Sequence, residues 1–275
     1  VTLQGLDTGA EGGPPPSATP PPGPYAVDRW EEPLARHLPL RGTTQAAERW
    51  VEVADENALL ALVRAARADG RPVRVLPPFC DALPPESGLT GIVVRLGRGF
   101  ESIEACPEGV RVGASVPLAQ LATRPGYAAL RGAPGVVSDA IDEGWLAPMV
   151  VRTRRFRGRS VEEVPGAAPF DAKAIVTGAV LAPPAGTLAI PRAGQALLPP
   201  KRRELGTVLA RLGLAGLRLG DAMLAEDDPR VLVNRGTATP RQLRLLLQAV
   251  RERIHVATGL EVQERLVPPG RGGKV

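Results

Sequence analysis

Capped helices and short apolar strands alternate along this chain without internal repeat, and that alternation constrains the fold more than any other feature. The clearest helix starts at Pro240: Thr239 precedes it as a cap, Leu243, Leu246, Leu247, Val250 and Ile254 fall on one face, and Gly259 ends it. A second runs from Asp55, whose short carboxylate suits an N-cap, to about Asp69. Leu59, Leu62, Val63 and Ala66 form its stripe and Gly70 closes it. Such stripes need sheets to cover. Trp50 to Val53, Val73 to Leu76, Ile92 to Leu96, Val110 to Val112 and Ala174 to Leu181 read as strands. Ser115 and Pro117 are expected to open a brief helix, as cap and first turn. A Leu205–Leu212 helix and strands near Leu217 and Val231 complete the C-terminal part. The expected class is α+β: two α/β subdomains followed by a smaller α+β domain.

The chain has 275 residues, 44% hydrophobic but only 3% aromatic, so its core rests on Leu, Val, Ala and Ile. Gly12-Gly-Pro-Pro-Pro16 and Pro20-Pro-Pro-Gly-Pro24 cannot bury apolar surface, and residues 1–28 are expected to be a disordered tail. Order is expected from about Trp30. The expected domains are 29–185, split near residue 97, and 186–268, with a flexible tail over 269–275.

Net charge is +5, carried almost wholly by arginine, with lysine only at 173, 201 and 274. Arg152-Thr-Arg-Arg-Phe-Arg-Gly-Arg159 reads as a strand entering a turn at Gly158. It is either an anion patch or a solvated hairpin edge; the second reading is preferred, because Glu162 and Glu163 come next and no aromatic stacking pattern accompanies it. Nucleic acid is not an expected partner. Cys80 and Cys106 form no disulfide framework, His37 and His255 lack neighbouring ligands, and no metal spacing occurs. No apolar run approaches the ~20 residues of a membrane span, so no membrane insertion and a cytoplasmic location are expected.

The stretch Gly213-Leu-Ala-Gly-Leu-Arg-Leu-Gly-Asp-Ala-Met, continuing to Val231-Leu-Val-Asn-Arg-Gly236, resembles the C-terminal signature of the UDP-N-acetylenolpyruvoylglucosamine reductase family. Further blocks match that family in order: Pro33-Leu-Ala with Arg41 and Ala46–Val53; Gly88-Leu-Thr-Gly91; Val112-Gly-Ala-Ser-Val-Pro-Leu-Ala-Gln-Leu121; Gly132-Ala-Pro-Gly-Val-Val137; Ala193-Gly194; and Gly259-Leu-Glu261. The resemblance implies an FAD-binding domain of two subdomains and a smaller substrate domain for a UDP-sugar. It also implies NADPH- and FAD-dependent reduction of an enolpyruvyl ether in peptidoglycan precursor synthesis. A serine would be the proton donor, with a glutamate assisting at the substrate carboxylate.

The positions that should carry this chemistry have changed. Where the family has three glycines and Ser-Asn in its first flavin loop, this chain has Pro77-Pro-Phe-Cys-Asp81. Two prolines remove two N–H donors, and Asp81 brings negative charge towards a diphosphate. The second loop keeps Gly132, Pro134, Gly135 and Val137, which with Arg41 are vestigial cofactor positions, but its next glycine pair is Ser138-Asp139. Gly144-Trp-Leu146 stands for an Asn-Ala-Gly stretch, and no Tyr-Arg-x-Ser block occurs between Val161 and Lys173. The catalytic serine corresponds to Gln195, a lysine and an asparagine to Leu198 and Pro199, and the final glutamate to Arg265, with Glu264 one residue away as a weak substitute. A usual Ser and His correspond to Ala225 and Asp228. Weak or absent FAD binding is therefore expected. Three readings are open: a pseudoenzyme with a binding or scaffold role among other cytoplasmic peptidoglycan-synthesis proteins, an active reductase with a rebuilt site, and a basic module for nucleic acid. The first is preferred, because the framework persists while glycine loops and acids vanish together.

Overall fold

The computed structural model describes residues 25–38, 44–76, 83–167, 174–191, 195–198 and 205–264. Both tails expected from the sequence, apart from residues 25–28, lie outside these. The first sheet contains β1 (Val27–Pro33), β2 (Ala46–Val53), β3 (Val73–Val75) and β4 (Leu89–Leu96), ordered β1-β2-β4-β3. β2 and β3 run parallel to β4, while β1 is antiparallel to β2. Helix α1 (Glu56–Ala68) makes the β2-to-β3 crossover. Asp55 caps it, its carboxylate accepting the Ala58 N–H at 2.8 Å, and the expected stripe is buried. Gly70 comes next at φ +64°, the left-handed region glycine enters without steric cost.

Chain order starts earlier than expected. β1 begins at Val27, paired with Glu52, and Asp28 binds the Arg49 guanidinium through two hydrogen bonds of 3.0 and 2.7 Å. Residues 27 and 28 therefore belong to the sheet, since β2 supplies both the backbone partners and the counter-charge. Nothing in the local composition announces that pairing.

The second sheet is antiparallel throughout. It comprises β5 (Ile103–Cys106), β6 (Gly109–Gly113), β7 (Val150–Arg157), β8 (Ser160–Pro165) and β9 (Ile175–Leu181), ordered β5-β6-β9-β7-β8. Two short helices, α2 (Leu118–Leu121) and α3 (Val137–Asp142), lie between β6 and β7. One contiguous core joins both sheets, running from Val51 and Leu59 through Phe100, Val112 and Leu146 to Phe156 and Leu181. The other face of the first sheet covers a small cluster around Leu34, Trp50 and Val93.

Two local expectations are corrected here. Ser115 does not cap a helix: its hydroxyl donates to the Leu96 carbonyl oxygen at 2.8 Å, and α2 starts after Pro117 without a side-chain cap. A buried hydroxyl beside an open β4 carbonyl gains more from that bond than from a four-residue helix. Nor is the arginine strand an edge. β7 lies between β9 and β8, so β8 forms the edge.

The C-terminal part contains β10 (Leu197–Leu198), α4 (Leu205–Arg211), β11 (Arg218–Leu219), β12 (Ala222–Leu224), β13 (Leu232–Asn234), α5 (Pro240–Thr258) and β14 (Gln263–Glu264). β11, β12 and β13 form an antiparallel meander, and β10 pairs antiparallel with β14. α5 has the full capping box, with Thr239 and Gln242 each accepting the other's backbone N–H, and Gly259 closes it at φ +67°. Its stripe from Leu243 to Ile254 covers a second core. The α+β class is thus as expected.

Glu56 welds α1 to the second sheet. It receives two hydrogen bonds from Arg154 of β7, both 2.7 Å, and one from the Thr177 hydroxyl of β9, also 2.7 Å. The Arg154 guanidinium holds the Glu56 carboxyl below its ordinary value of 4.5, against the opposing effect of burial, and Thr177 helps. Glu56→Gln is expected to cost about 1–3 kcal/mol at neutral pH, at the lower end because Arg154 remains partly solvated. A lowered acid pKa contributes stability that is complete above 4.5 and lost as pH falls through the folded-state value. Urea titrations of both proteins should therefore converge under acid conditions. A difference constant down to the acid limit would contradict this role.

Candidate functional site

The loop around Gly132 turns at two glycines of left-handed backbone conformation. Gly132 and Gly135 have φ of +80° and +79°, where a side chain would be strained. The segment beyond Gly135 is closed from within. Val137 opens α3 and donates its N–H to Val116 O at 3.1 Å; Ser138 donates to Ala114 O at 3.0 Å; and Gly135 O accepts from Leu118 N–H at 3.1 Å. Asp139 then sets a carboxylate in the first turn, its Oδ2 lying 3.2 Å from where a side chain on Gly135 would begin. A diphosphate needs free N–H donors and no competing anion. Two donors are committed elsewhere and an anion is already present, so the described part of this loop does not fit the diphosphate of FAD.

The same helix ends in further acid. Burial pushes the Asp142 carboxyl up to about 7, with Arg155 opposing and Glu143 adding to the rise, although solvent still reaches the side chain. Trp145 donates its indole N–H to Glu143 at 3.1 Å.

In the C-terminal part, Gln195 is buried and its backbone bridges to Val231. Its amide donates to Leu197 O at 3.2 Å. Ala225 donates its N–H to Val231 O at 2.9 Å, and the buried Asp228 binds Arg230 through two side-chain contacts of 2.9 Å. Residues 195, 225 and 228 are therefore gathered around Val231. Pairing of β10 with β14 sets the Glu264 backbone opposite Leu197, two residues beyond Gln195. The fold thus brings the Gln195 and Glu264 segments together. Arg41, the first-loop segment Pro77–Asp81, Pro199 and Arg265 lie outside the described residues.

Most arginines of β7 are paired with carboxylates. Arg152 binds Glu108 at 2.7 Å, Arg154 binds Glu56 and Glu163, Arg157 lies 3.5 Å from Glu162, and neighbouring Arg111 binds Glu163 at 3.2 Å. Arg155 is buried. Arg111, Arg152, Arg154, Glu56 and Glu163 border a cavity of about 360 Å³ between β6, β7, β9 and the start of α1. Pairing of this kind offsets much of the positive charge that the strand would otherwise present to a polyanion. Sequence reasoning passed over Glu56, whose only local signal is an acid in the first turn of a helix.

Among the described residues, no helix is long and apolar enough to cross a membrane, and no cluster of three or more His, Cys, Asp or Glu could hold a metal ion.

Comparison with known proteins identifies the family and the fold. Residues 184–267 match the family model described as UDP-N-acetylenolpyruvoylglucosamine reductase, C-terminal domain. UDP-N-acetylenolpyruvoylglucosamine reductase 2 of Symbiobacterium thermophilum is 30% identical over 277 aligned residues, covering 86% of this chain and 90% of its own. The reductase of Heliobacterium modesticaldum is 26% identical, covering 88% and 91%. The crystal structure of the Thermus caldophilus reductase superposes with a TM-score of 0.66 at 22% identity, over 88% of this chain and 98% of that one. That structural likeness supports the two-part fold, while the identity and coverage of the sequence relatives carry the assignment: this chain belongs to the UDP-N-acetylenolpyruvoylglucosamine reductase family.

Proposed function

We propose that this chain is a catalytically silent member of its family, keeping the reductase fold as a binding or scaffold protein for peptidoglycan precursor synthesis. The observation that carries this reading is Gln195. It stands at the proton-donor position and is buried, with its amide hydrogen-bonded to Leu197 O. A carboxamide has no proton to give at neutral pH, so a carbanion-like intermediate beside it would go unquenched. The committed donors at Val137 and Ser138, and the acid at Asp139, support weak or absent FAD binding. Its partners on this reading are other cytoplasmic proteins of the same synthesis, and UDP-sugar retention is a separate question of binding without turnover.

The rebuilt-reductase alternative would draw its acid from Glu264, whose backbone the β10–β14 pairing sets near the Gln195 segment. The test is NADPH consumption by the purified protein with UDP-N-acetylglucosamine enolpyruvate and added FAD. No turnover above the protein-free blank is expected, from either the natural sequence or Gln195→Ser, because the cofactor loops are altered as well. Substrate-dependent NADPH oxidation by the natural sequence would overturn the proposal; if Glu264→Gln then abolished it, the rebuilt site would be established.

A further inference from the structure

Residues 83 and 84, in the connection leading to β4, reach the C-terminal core before the chain enters the first sheet. Leu83 is 4% exposed and packs in the cluster formed otherwise by residues from Ala196 to Val262. Beside it, Arg244 of α5 donates through Nη2 to two consecutive carbonyl oxygens, Leu83 O at 2.6 Å and Pro84 O at 2.8 Å. Gly88 N–H then turns the chain back onto Pro85 O at 3.0 Å, and Leu89 re-enters the first sheet opposite Ala47. An apolar anchor and a charged one thus hold the same two residues, from a helix about 160 positions away in sequence.

We propose that Leu83, Pro84 and Arg244 form an interdomain strap that makes the two cores open as one unit and fixes a single arrangement of the domains without any ligand. Domains joined through modest polar interfaces move relative to one another by default. Here separation exposes Leu83 and exchanges two charge-assisted hydrogen bonds for hydration, so opening loses burial and direct hydrogen bonds at once. The strap does not depend on whether the protein turns over substrate. Its consequence for a binding protein is that a partner meets one continuous surface built from both domains.

Hydrogen exchange of the full-length protein under increasing denaturant tests this directly, with α1 reporting the first core and α5 the second. In the unmodified protein the protected amides of α1 and α5 are expected to open together. In Arg244→Ala, α5 is expected to exchange about tenfold faster relative to α1, with Arg244→Lys, which keeps a donor, falling between. Val250→Ala serves as control: it weakens the C-terminal core without touching the strap, so both helices should accelerate in parallel. Leu83→Ala should reproduce the split, and Arg244→Gln replaces Arg244→Ala if that variant does not fold. Parallel exchange in the Arg244 variants, or independent opening of α5 in the unmodified protein, would overturn the proposal.

Discussion

Gly113→Ala is expected to be the most damaging addition of a single methyl group among the framework glycines of the family blocks. A side chain at this position would begin 2.1 Å from the Phe100 carbonyl oxygen and 2.3 Å from its carbon, both backbone atoms. Backbone cannot rotate away as a side chain can. Phe100 is itself buried, and its carbonyl accepts the Ser115 N–H at 2.9 Å, while Gly113 N–H donates to Ser102 O at 2.9 Å. Relief would therefore shift the junction between β4 and β6 and the core shared by both sheets. A loss of about 3 kcal/mol or more is expected, at the upper end of overpacking effects. That corresponds to a melting temperature lower by roughly 6–12 °C in a protein of this size, or to insoluble product. Gly206→Ala is the matched control. It lies in α4 with no atom within 4 Å of the added methyl. There alanine should be neutral or stabilise by up to ~1 kcal/mol, through helix propensity. A stable, soluble Gly113→Ala protein would contradict the described packing of β6 on Phe100.

Leu247→Ala is expected to remove about 2–5 kcal/mol, the range for a buried leucine whose cavity cannot collapse. Leu247 is fully buried in the C-terminal core, on the α5 face that also carries Leu243, Leu246 and Val250. Among the described residues, the rest of that core comes from short strands, α4, loop residues and Leu83, so few groups can move in to fill the space. Because the strap couples the domains, tryptophan fluorescence should also register the loss. Trp30, Trp50 and Trp145 all lie in the N-terminal part, yet they should report a lower unfolding midpoint in urea. A cost below about 1 kcal/mol, or an unchanged fluorescence midpoint, would contradict the packing or the coupling respectively.

Local signals made the helices legible. Thr239, Gln242 and Gly259 bracket α5, and Asp55 and Gly70 bracket α1, within residues adjacent in sequence. The stripes between them arise from a 3.6-residue period that needs no knowledge of the partner surface. Partners remote in sequence were not legible. Ser115 looks like a cap until Leu96 O is placed above it. The arginines of β7 look like a solvated edge until β8 and β9 flank them. Glu56 and Arg244 have ordinary sequence neighbours, and their roles arise only where Arg154, Thr177, Leu83 and Pro84 are brought to them. At the candidate site the resemblance located Gln195, Ala225 and Asp228 separately, while the meander around Val231 shows them as one group. The committed N–H groups of Val137 and Ser138 could not be read from sequence, because their acceptors at Val116 and Ala114 belong to another segment.

Flavin uptake is the most direct measure of whether this fold keeps its family's chemistry. The purified protein should be colourless, without the bound-flavin band near about 450 nm, and excess FAD should leave its melting temperature unchanged, since a ligand bound to the native state must raise it. A yellow protein whose melting temperature climbs with FAD concentration would contradict the claim that the cofactor cradle is closed.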